Sequence, residues 1–246
     1  MDEGTLVGLR NSRTFIVKVS GKKEWVPGLG VIDTRRLIGH NFGEKITIFD
    51  QDFLIVKPVL EDIISNMEKI TQTVSLKDMG MMILRSGIRQ GSNVAEVGVG
   101  SGFLSVGILY YIIPGVLYGY DISSRNLDHV KNVLDWLGWK EHFIPVRIED
   151  KLEFIEGNMD AIFLDIPDPS TILENSYASL RENGRIIAYL PNITQVHNFF
   201  NKSRRIGIKR IRIYEVIERE WIAGDIELRP ENTGLLHTAF LVIGEK

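Results

Sequence analysis

Four acids and three glycines carry the chemistry this sequence can do. Glu96 closes the apolar run Asn93-Val94-Ala95 and opens the pattern Glu96-Val97-Gly98-Val99-Gly100-Ser101-Gly102. Glycines at alternate positions let a chain turn tightly and bring backbone N–H groups against a polar ligand, and a Cβ at Gly98, Gly100 or Gly102 would obstruct that approach. Asp121 ends the next apolar run, Val116 to Tyr120. It lies about 20 residues past the glycines, where a carboxylate can accept both hydroxyls of a ribose. Asp165 ends Met159 to Leu164 and leads into Ile166-Pro167-Asp168-Pro169, whose prolines stiffen the loop and remove backbone donors. A carboxylate there can orient an amine or take up a proton, whereas Asp168 reads as a turn residue. Asp150, after the run Phe143 to Ile148, can accept from the amine of a bound adenine; it is preferred to its neighbour Glu149. These residues point to an adenosine-containing cofactor. Asp121 alone does not choose between a nicotinamide dinucleotide and another adenosine compound.

The positioning elements alternate between helix and strand from residue 78 onward, which predicts a doubly wound parallel sheet. A helix over Met79–Ser86 precedes the strand Asn93–Val97, and the apolar stretch Phe103–Ile113 follows the glycines as a buried helix. Ser123 or Ser124 caps a helix with Leu127, Val130, Leu134 and Leu137 on one face, ended by Gly138. Strands at 143–148, 159–165 and 184–190 are joined by a helix over Ser170–Leu180, read as opening with a Thr171–Glu174 capping box. A helix over Ile193–Arg205 and strands over Arg210–Ile217 and His237–Ile243 complete seven strands, the last two as an antiparallel hairpin. Residues 1–68 read differently, as short β-branched runs at Thr14–Val19, Lys45–Phe49 and Phe53–Val56 separated by turn signals, then a linking helix from Val59. We expect a small β domain over 1–68 and the alternating domain over 69–246.

The 246 residues, 44% hydrophobic and 25% charged, have the make-up of a globular protein without a disorder signature. The longest apolar run is too short to span a bilayer and Met1-Asp2-Glu3 is unlike a signal peptide, so a cytoplasmic location is expected. Zero cysteines exclude disulfides, thiolate metal sites and cysteine nucleophiles, and no metal is expected. The net charge of −3 leaves nucleic acid open as a partner. Lys202, Arg204, Arg205, Lys209, Arg210 and Arg212 form a run with no carboxylate between Gln195 and Tyr214, either a phosphate-binding patch or an ordinary solvated face.

The glycine pattern is similar to motif I of S-adenosylmethionine (SAM) methyltransferases, since a dinucleotide turn carries its third glycine one residue further on. Over nearly its whole length the chain resembles the tRNA (adenine-58-N1)-methyltransferases. The resemblance is carried by Ile38 to Gly43, Leu54 to Pro58, Thr71-Gln72-Thr73-Val74-Ser75-Leu76-Lys77-Asp78, Tyr189-Leu190-Pro191-Asn192-Ile193-Thr194-Gln195-Val196 and His237-Thr238-Ala239-Phe240-Leu241. It implies the class I SAM methyltransferase fold, Rossmann-like and α/β, and a homotetramer acting on tRNA. It also implies SAM contacts from Gln72, Glu96, Gly98, Gly100, Ser101, Gly102, Phe103, Leu104, Asp121, Asn126 and Asp150, with Asp165 catalytic at the target base. The chain departs from the family at Ser75-Leu76, where relatives carry Tyr-Pro or His-Pro, so any stacking from that position has to come from elsewhere. His237 and Trp221 read as strand-end and packing residues rather than catalysts. A noncatalytic RNA-binding subunit and a nicotinamide oxidoreductase are the alternatives. Retention of the glycines with both acids argues against the first, and the want of a dehydrogenase catalytic set argues against the second.

Overall fold

A computed structural model describes residues 1–149, 151–224, 226–232 and 236–246. The described chain forms two compact units, Met1–Glu68 and Lys69–Lys246. The first contains β1 (Leu6–Arg10), β2 (Thr14–Lys18), β3 (Lys23–Val26), β4 (Gly30–Asp33), β5 (Lys45–Ile48), β6 (Gln51–Val56) and α1 (Leu60–Ser65). Strands β2-β1-β6-β5 make an antiparallel sheet, and β3 with β4 forms a separate hairpin. Alternation along β1, β2 and β6 sends Val7, Leu9, Val17, Phe53 and Ile55 into one core. Strands β1, β3 and β4 were not anticipated: Gly8 interrupts the first, and β3 opens on the charged pair Lys23-Glu24.

The second unit holds α2 (Leu76–Ser86), β7 (Asn93–Val97), α3 (Phe103–Ile112), β8 (Val116–Asp121), α4 (Ser124–Leu137), β9 (Phe143–Arg147), β10 (Met159–Leu164), α5 (Leu173–Ser179), β11 (Leu180–Leu190), α6 (Ile193–Ile206), β12 (Lys209–Glu215), β13 (Trp221–Ala223), β14 (Leu228–Pro230) and β15 (Phe240–Glu245). Its seven-stranded sheet has the order β12-β15-β11-β10-β7-β8-β9. Strands β7 to β11 run parallel, and β15 is antiparallel to both of its neighbours. Central strands buried on both faces read as continuous apolar runs, as Ala161 to Leu164 and Ile186 to Ala188 do. Helix α4 is built as its sequence predicts: the Ser123 hydroxyl accepts from the Asn126 N–H, Leu127, Val130, Leu134 and Leu137 are buried, and Gly138 closes it at φ +80°. None of the helices among the described residues is long and apolar enough to cross a membrane.

Four element bounds differ from the sequence reading, the first being α2, which starts at Leu76 rather than Met79 because the Ser75 hydroxyl caps it. The Thr171–Glu174 box does not form, because Asp168 caps a short 3₁₀ turn over Pro169–Ile172 and the Thr171 hydroxyl donates instead to the Asp168 carbonyl. Helix α5 therefore starts at Leu173. Strand β11 begins at Leu180, four residues before Gly184, since Leu180 already pairs with Met159 and Asn183 takes up a left-handed conformation at φ +59°. Strand β15 begins at Phe240, because the His237 ring is held between Glu215 and Pro191 outside the ladder.

Candidate active site at the sheet rim

Strand register assembles the site. Val97 pairs with Tyr120 and with Leu164, and Leu164 pairs with Ala188. The next residue of each strand, Gly98, Asp121, Asp165 and Tyr189, therefore reaches the carboxyl rim of four adjacent strands, where ligands of open parallel sheets bind. Two acids distant in sequence thereby flank β7, and both raise the proton affinity of a third, Glu96, on that strand.

The glycine turn has a different physical reason from the one inferred from sequence. Gly98, Gly100 and Gly102 all have left-handed φ, at +93°, +50° and +80°. A Cβ on Gly98 would lie 2.1 Å from the Asp165 carbonyl oxygen, on Gly100 2.7 Å from the Thr71 hydroxyl, and on Gly102 2.8 Å from a Val130 methyl. The space beside each glycine is thus filled by this chain's own atoms. The glycines let the β10 tip, the 70–72 segment and α4 close around the turn.

Asp121 is buried and surrounded by donors. Its Oδ2 accepts from the Gly100 N–H at 3.1 Å and its Oδ1 from the Ser123 N–H at 2.8 Å. The Asn126 amide bridges both oxygens at 3.2–3.3 Å, longer than the usual charge-assisted bond. Ser101 and Glu96 lie beneath the turn. The Ser101 hydroxyl accepts the Ile70 and Thr71 N–H groups at 2.9 and 2.8 Å, so it braces the segment carrying the exposed Gln72. Glu96 is fully buried, its Oε2 accepting from the Ser105 hydroxyl of α3 at 2.6 Å, and burial first, then Asp165 and Asp121, push its carboxyl well above the usual range. Phe103 and Leu104 open α3, the first half-buried and the second buried. Glu149 is exposed, and Asp150 lies outside the described residues.

Asp165 differs from these acids. Its N–H is fixed to the Val97 carbonyl at 2.9 Å, while among the described residues no donor is recorded on its carboxylate. Burial alone pushes its carboxyl up to about 6. The loop after it is pinned by Gln195, whose Nε2 donates to the Pro167 carbonyl at 2.7 Å while Asn192 caps α6 beneath.

A buried network beside the rim was not foreseen. Asp78, 0% exposed, accepts from Ser75, Lys77, Tyr189 and Thr238, and Lys77 also donates to Thr238 and to the Val216 carbonyl. Burial and the charges of Asp78 and Asp165 raise the Tyr189 phenol. The signal was present in sequence, since Lys77-Asp78, Tyr189 and Thr238 sit in three of the distinctive segments. Ser75 acts as the α2 cap in place of an aromatic residue. His237 bonds Glu215 at 2.6 Å and the Pro191 carbonyl at 3.1 Å, a strand-end tie. Trp221 sits in a strand but is 55% exposed, so the packing role expected for it is not seen within this chain.

A family model described as the tRNA methyltransferase complex GCD14 subunit matches residues 53–239, about three quarters of the chain. The TrmI tRNA (adenine(57)-N(1)/adenine(58)-N(1))-methyltransferase of Methanocaldococcus jannaschii is 33% identical over 218 residues, covering 78% of this chain and 77% of its own length. The chain belongs to the tRNA (adenine-58-N1)-methyltransferase family. Another member, the tRNA (adenine(58)-N(1))-methyltransferase TrmI of Thermus thermophilus, is 28% identical over 199 residues, 80% of this chain and 78% of its own. Among solved structures, a SAM-dependent O-methyltransferase of Thermotoga maritima superposes with a TM-score of 0.84 at 26% identity, over 100% of this chain and 94% of that one. The m1A58 methyltransferase TrmI of Aquifex aeolicus gives 0.78 at 24%, over 100% and 98%, a likeness of fold. The fold is that of the class I SAM methyltransferases.

The donor set fits the family's cofactor. A vicinal diol presents two donors to one carboxylate, and at Asp121 the long, bifurcated Asn126 contact is the weakest bond such a diol has to displace. No cluster of His, Asp or Glu suited to a metal occurs among the described residues.

Proposed function

We propose that this protein transfers a methyl group from S-adenosylmethionine to N1 of an adenosine in the T loop of tRNA. The carrying observation is the Asp165 carboxylate, desolvated at the rim next to the glycine turn and free of donors among the described residues. A desolvated carboxylate without a partner is costly to keep, and such groups concentrate at functional sites. Asp121 holds the ribose, Gln72, Asn126 and the Ser101–Leu104 turn frame the rest of the cofactor, and Asp150 is assigned its adenine. When bound, S-adenosylmethionine supplies an electrophilic methyl group on its sulfonium. N1 of adenine has a lone pair, so no strong base has to create the nucleophile. Asp165 accepts from the exocyclic N6 amine, which orients the base in line. It also offsets, or takes as a proton, the positive charge that grows on the ring. An N1 edge inside folded tRNA is hidden by pairing or stacking, so the base has to be turned out at about a few kcal/mol.

We further infer a cytoplasmic homotetramer. Support comes from the exposed apolar residues of the β13–β14 region, among them Trp221, Ile226 and Leu228. Sedimentation of the purified protein at twice or four times the monomer mass supports self-assembly, and a monomer at micromolar concentration removes it. For the reaction, a tRNA transcript is incubated with protein and SAM, digested, and its methylated nucleosides mapped by mass. N1-methyladenosine in the T loop is the expected product; saturable NAD binding without SAM binding refutes the reading.

A further inference from the structure

Four arginines from three elements converge on the helix α2 side of the sheet, away from the rim. Arg85 near the end of α2, Arg185 of β11 and Arg210 and Arg212 of β12 line a cleft of about 150 Å³ together with Tyr214 and Glu245. This volume is about ten times what one water needs. The register explains the meeting: Arg185 lies opposite Glu245 of β15, and Arg212 opposite Ile243. Between Lys209 and Arg212 the pairing of β12 slips, and Arg210 stands at φ +47°, a conformation that L side chains rarely adopt.

The charges in this cleft do not balance. Glu245 is the single carboxylate lining it, and it lies 4.0 Å from Arg185 Nη2 and 3.6 Å from Arg210 Nη1, beyond the 2.7–2.9 Å usual for direct charge-assisted bonds. Arg185 Nη1 donates to the Arg85 carbonyl at 2.7 Å, which fixes that fork. The Arg85 guanidinium lies 5.0 Å over the Tyr214 ring, and its Nε is buried with no hydrogen-bond partner. A buried unpartnered donor is expensive, and here it belongs to a cation among three other cations.

We propose that this cleft is a phosphate-binding site, distinct from the rim. Guanidinium forks match the paired oxygens of a phosphate, which would supply both the missing negative charge and an acceptor for Arg85. Arg185 is four residues before Tyr189 along β11, about 13 Å from the rim at strand rise, too far to belong to the cofactor or to the target base. At that distance a polyanion engaged at the rim can reach it. The assignment of the phosphate to the RNA backbone rests on the proposed function, whereas the site itself rests on the geometry.

The test uses the full chain and the double variant R210Q/R212Q, both positions being exposed, with R204Q/R205Q as a control of equal charge. Inorganic phosphate, compared with chloride at matched ionic strength, should raise the melting temperature of the wild type and of the control but not of R210Q/R212Q. In tRNA binding across a KCl series, the R210Q/R212Q log–log salt slope should be flatter than wild type by about 1–2 units. Its SAM affinity by calorimetry should be unchanged, which also shows that the variant is folded. Equal phosphate stabilisation of wild type and R210Q/R212Q overturns the site. Phosphate protection with an unchanged tRNA slope overturns its assignment to RNA and leaves free phosphate as the ligand. Binding of poly-L-glutamate in place of phosphate and tRNA overturns the proposal in favour of an acidic protein partner. If the wild type neither binds nor methylates tRNA, the proposed function fails, and the phosphate arm still decides the site.

Discussion

Replacing Asp165 by asparagine should make the protein more stable and much slower. Burial raises its carboxyl from 3.8 to about 6. The folded state thus binds the proton more tightly than the unfolded chain, and stability falls as pH rises from about 4 to about 6, with the full penalty present above that range. A rise of this size is worth about 3 kcal/mol. Because the side chain is not wholly dry, we expect asparagine to recover about 1–3 kcal/mol at pH 8, or a melting temperature higher by about 3–10 °C for a chain of this length. The advantage should vanish near pH 4, where the wild-type carboxyl is protonated. Single-turnover methyl transfer at saturating SAM should drop by about 10²–10⁴, since the amide still accepts from N6 but carries no charge and takes no proton. Wild-type turnover should fall away below pH about 6. Differential scanning calorimetry across pH 4–8 and rapid-quench kinetics read the two effects separately. A variant that melts lower than wild type at pH 8 while turning over normally refutes the reasoning and makes Asp165 a brace for the Pro167–Pro169 loop.

Asp121→Ala should weaken SAM binding at least tenfold by calorimetry, at about 1.5–3 kcal/mol per bond to a charged acceptor, while Asn126→Ala should change it only a few-fold; equal losses would mean that Asn126 itself holds the ligand. Gly98→Ala sets a Cβ 2.1 Å from the Asp165 carbonyl at a left-handed φ, so it should lower the melting temperature and cut SAM binding together, and a variant normal in both would overturn the close-packing account. Both ring nitrogens of His237 face acceptors, the Pro191 carbonyl and Glu215, which raise its proton affinity and favour the doubly protonated ring. The stability it contributes is complete below pH 6.5 and is lost as pH rises through its raised value; His237→Gln should flatten that part of the pH–stability profile, and an unchanged profile would place the tie elsewhere.

The alternating elements were legible because buried strands are apolar runs and helices such as α4 carry their own cap and stripe, as Ser123, Leu127, Val130, Leu134 and Gly138 do. The acids at strand ends were legible for the same reason, a polar residue closing an apolar run. What sequence did not disclose was partnership. Nothing local to Gly98 announces that the Asp165 carbonyl fills the space beside it, 67 positions later, or that the Thr238 hydroxyl donates to Asp78 across 160 residues. Strands β3 and β4 escaped because each is four residues long and buries a single apolar side chain, Val26 and Ile32, too few to show a pattern. The Arg85–Arg212 cleft escaped because its members come from three segments, and only two of them lie in the basic run visible in sequence.

The insertion of β15 between β11 and β12 has a consequence for synthesis. Strand β12 is complete at Glu215, but its place in the sheet does not exist until Phe240–Glu245 has been made, about 1.5–6 s later at ordinary translation speeds. During that interval the β11 edge carries unpaired backbone groups beside an apolar run, the kind of edge that invites pairing with another chain. Thr238, which closes the Asp78–Tyr189 network, arrives in the same late segment. A nascent chain still on the ribosome therefore carries its glycine turn and both rim acids before the network beside them can close, and the risk of misassembly falls in those seconds.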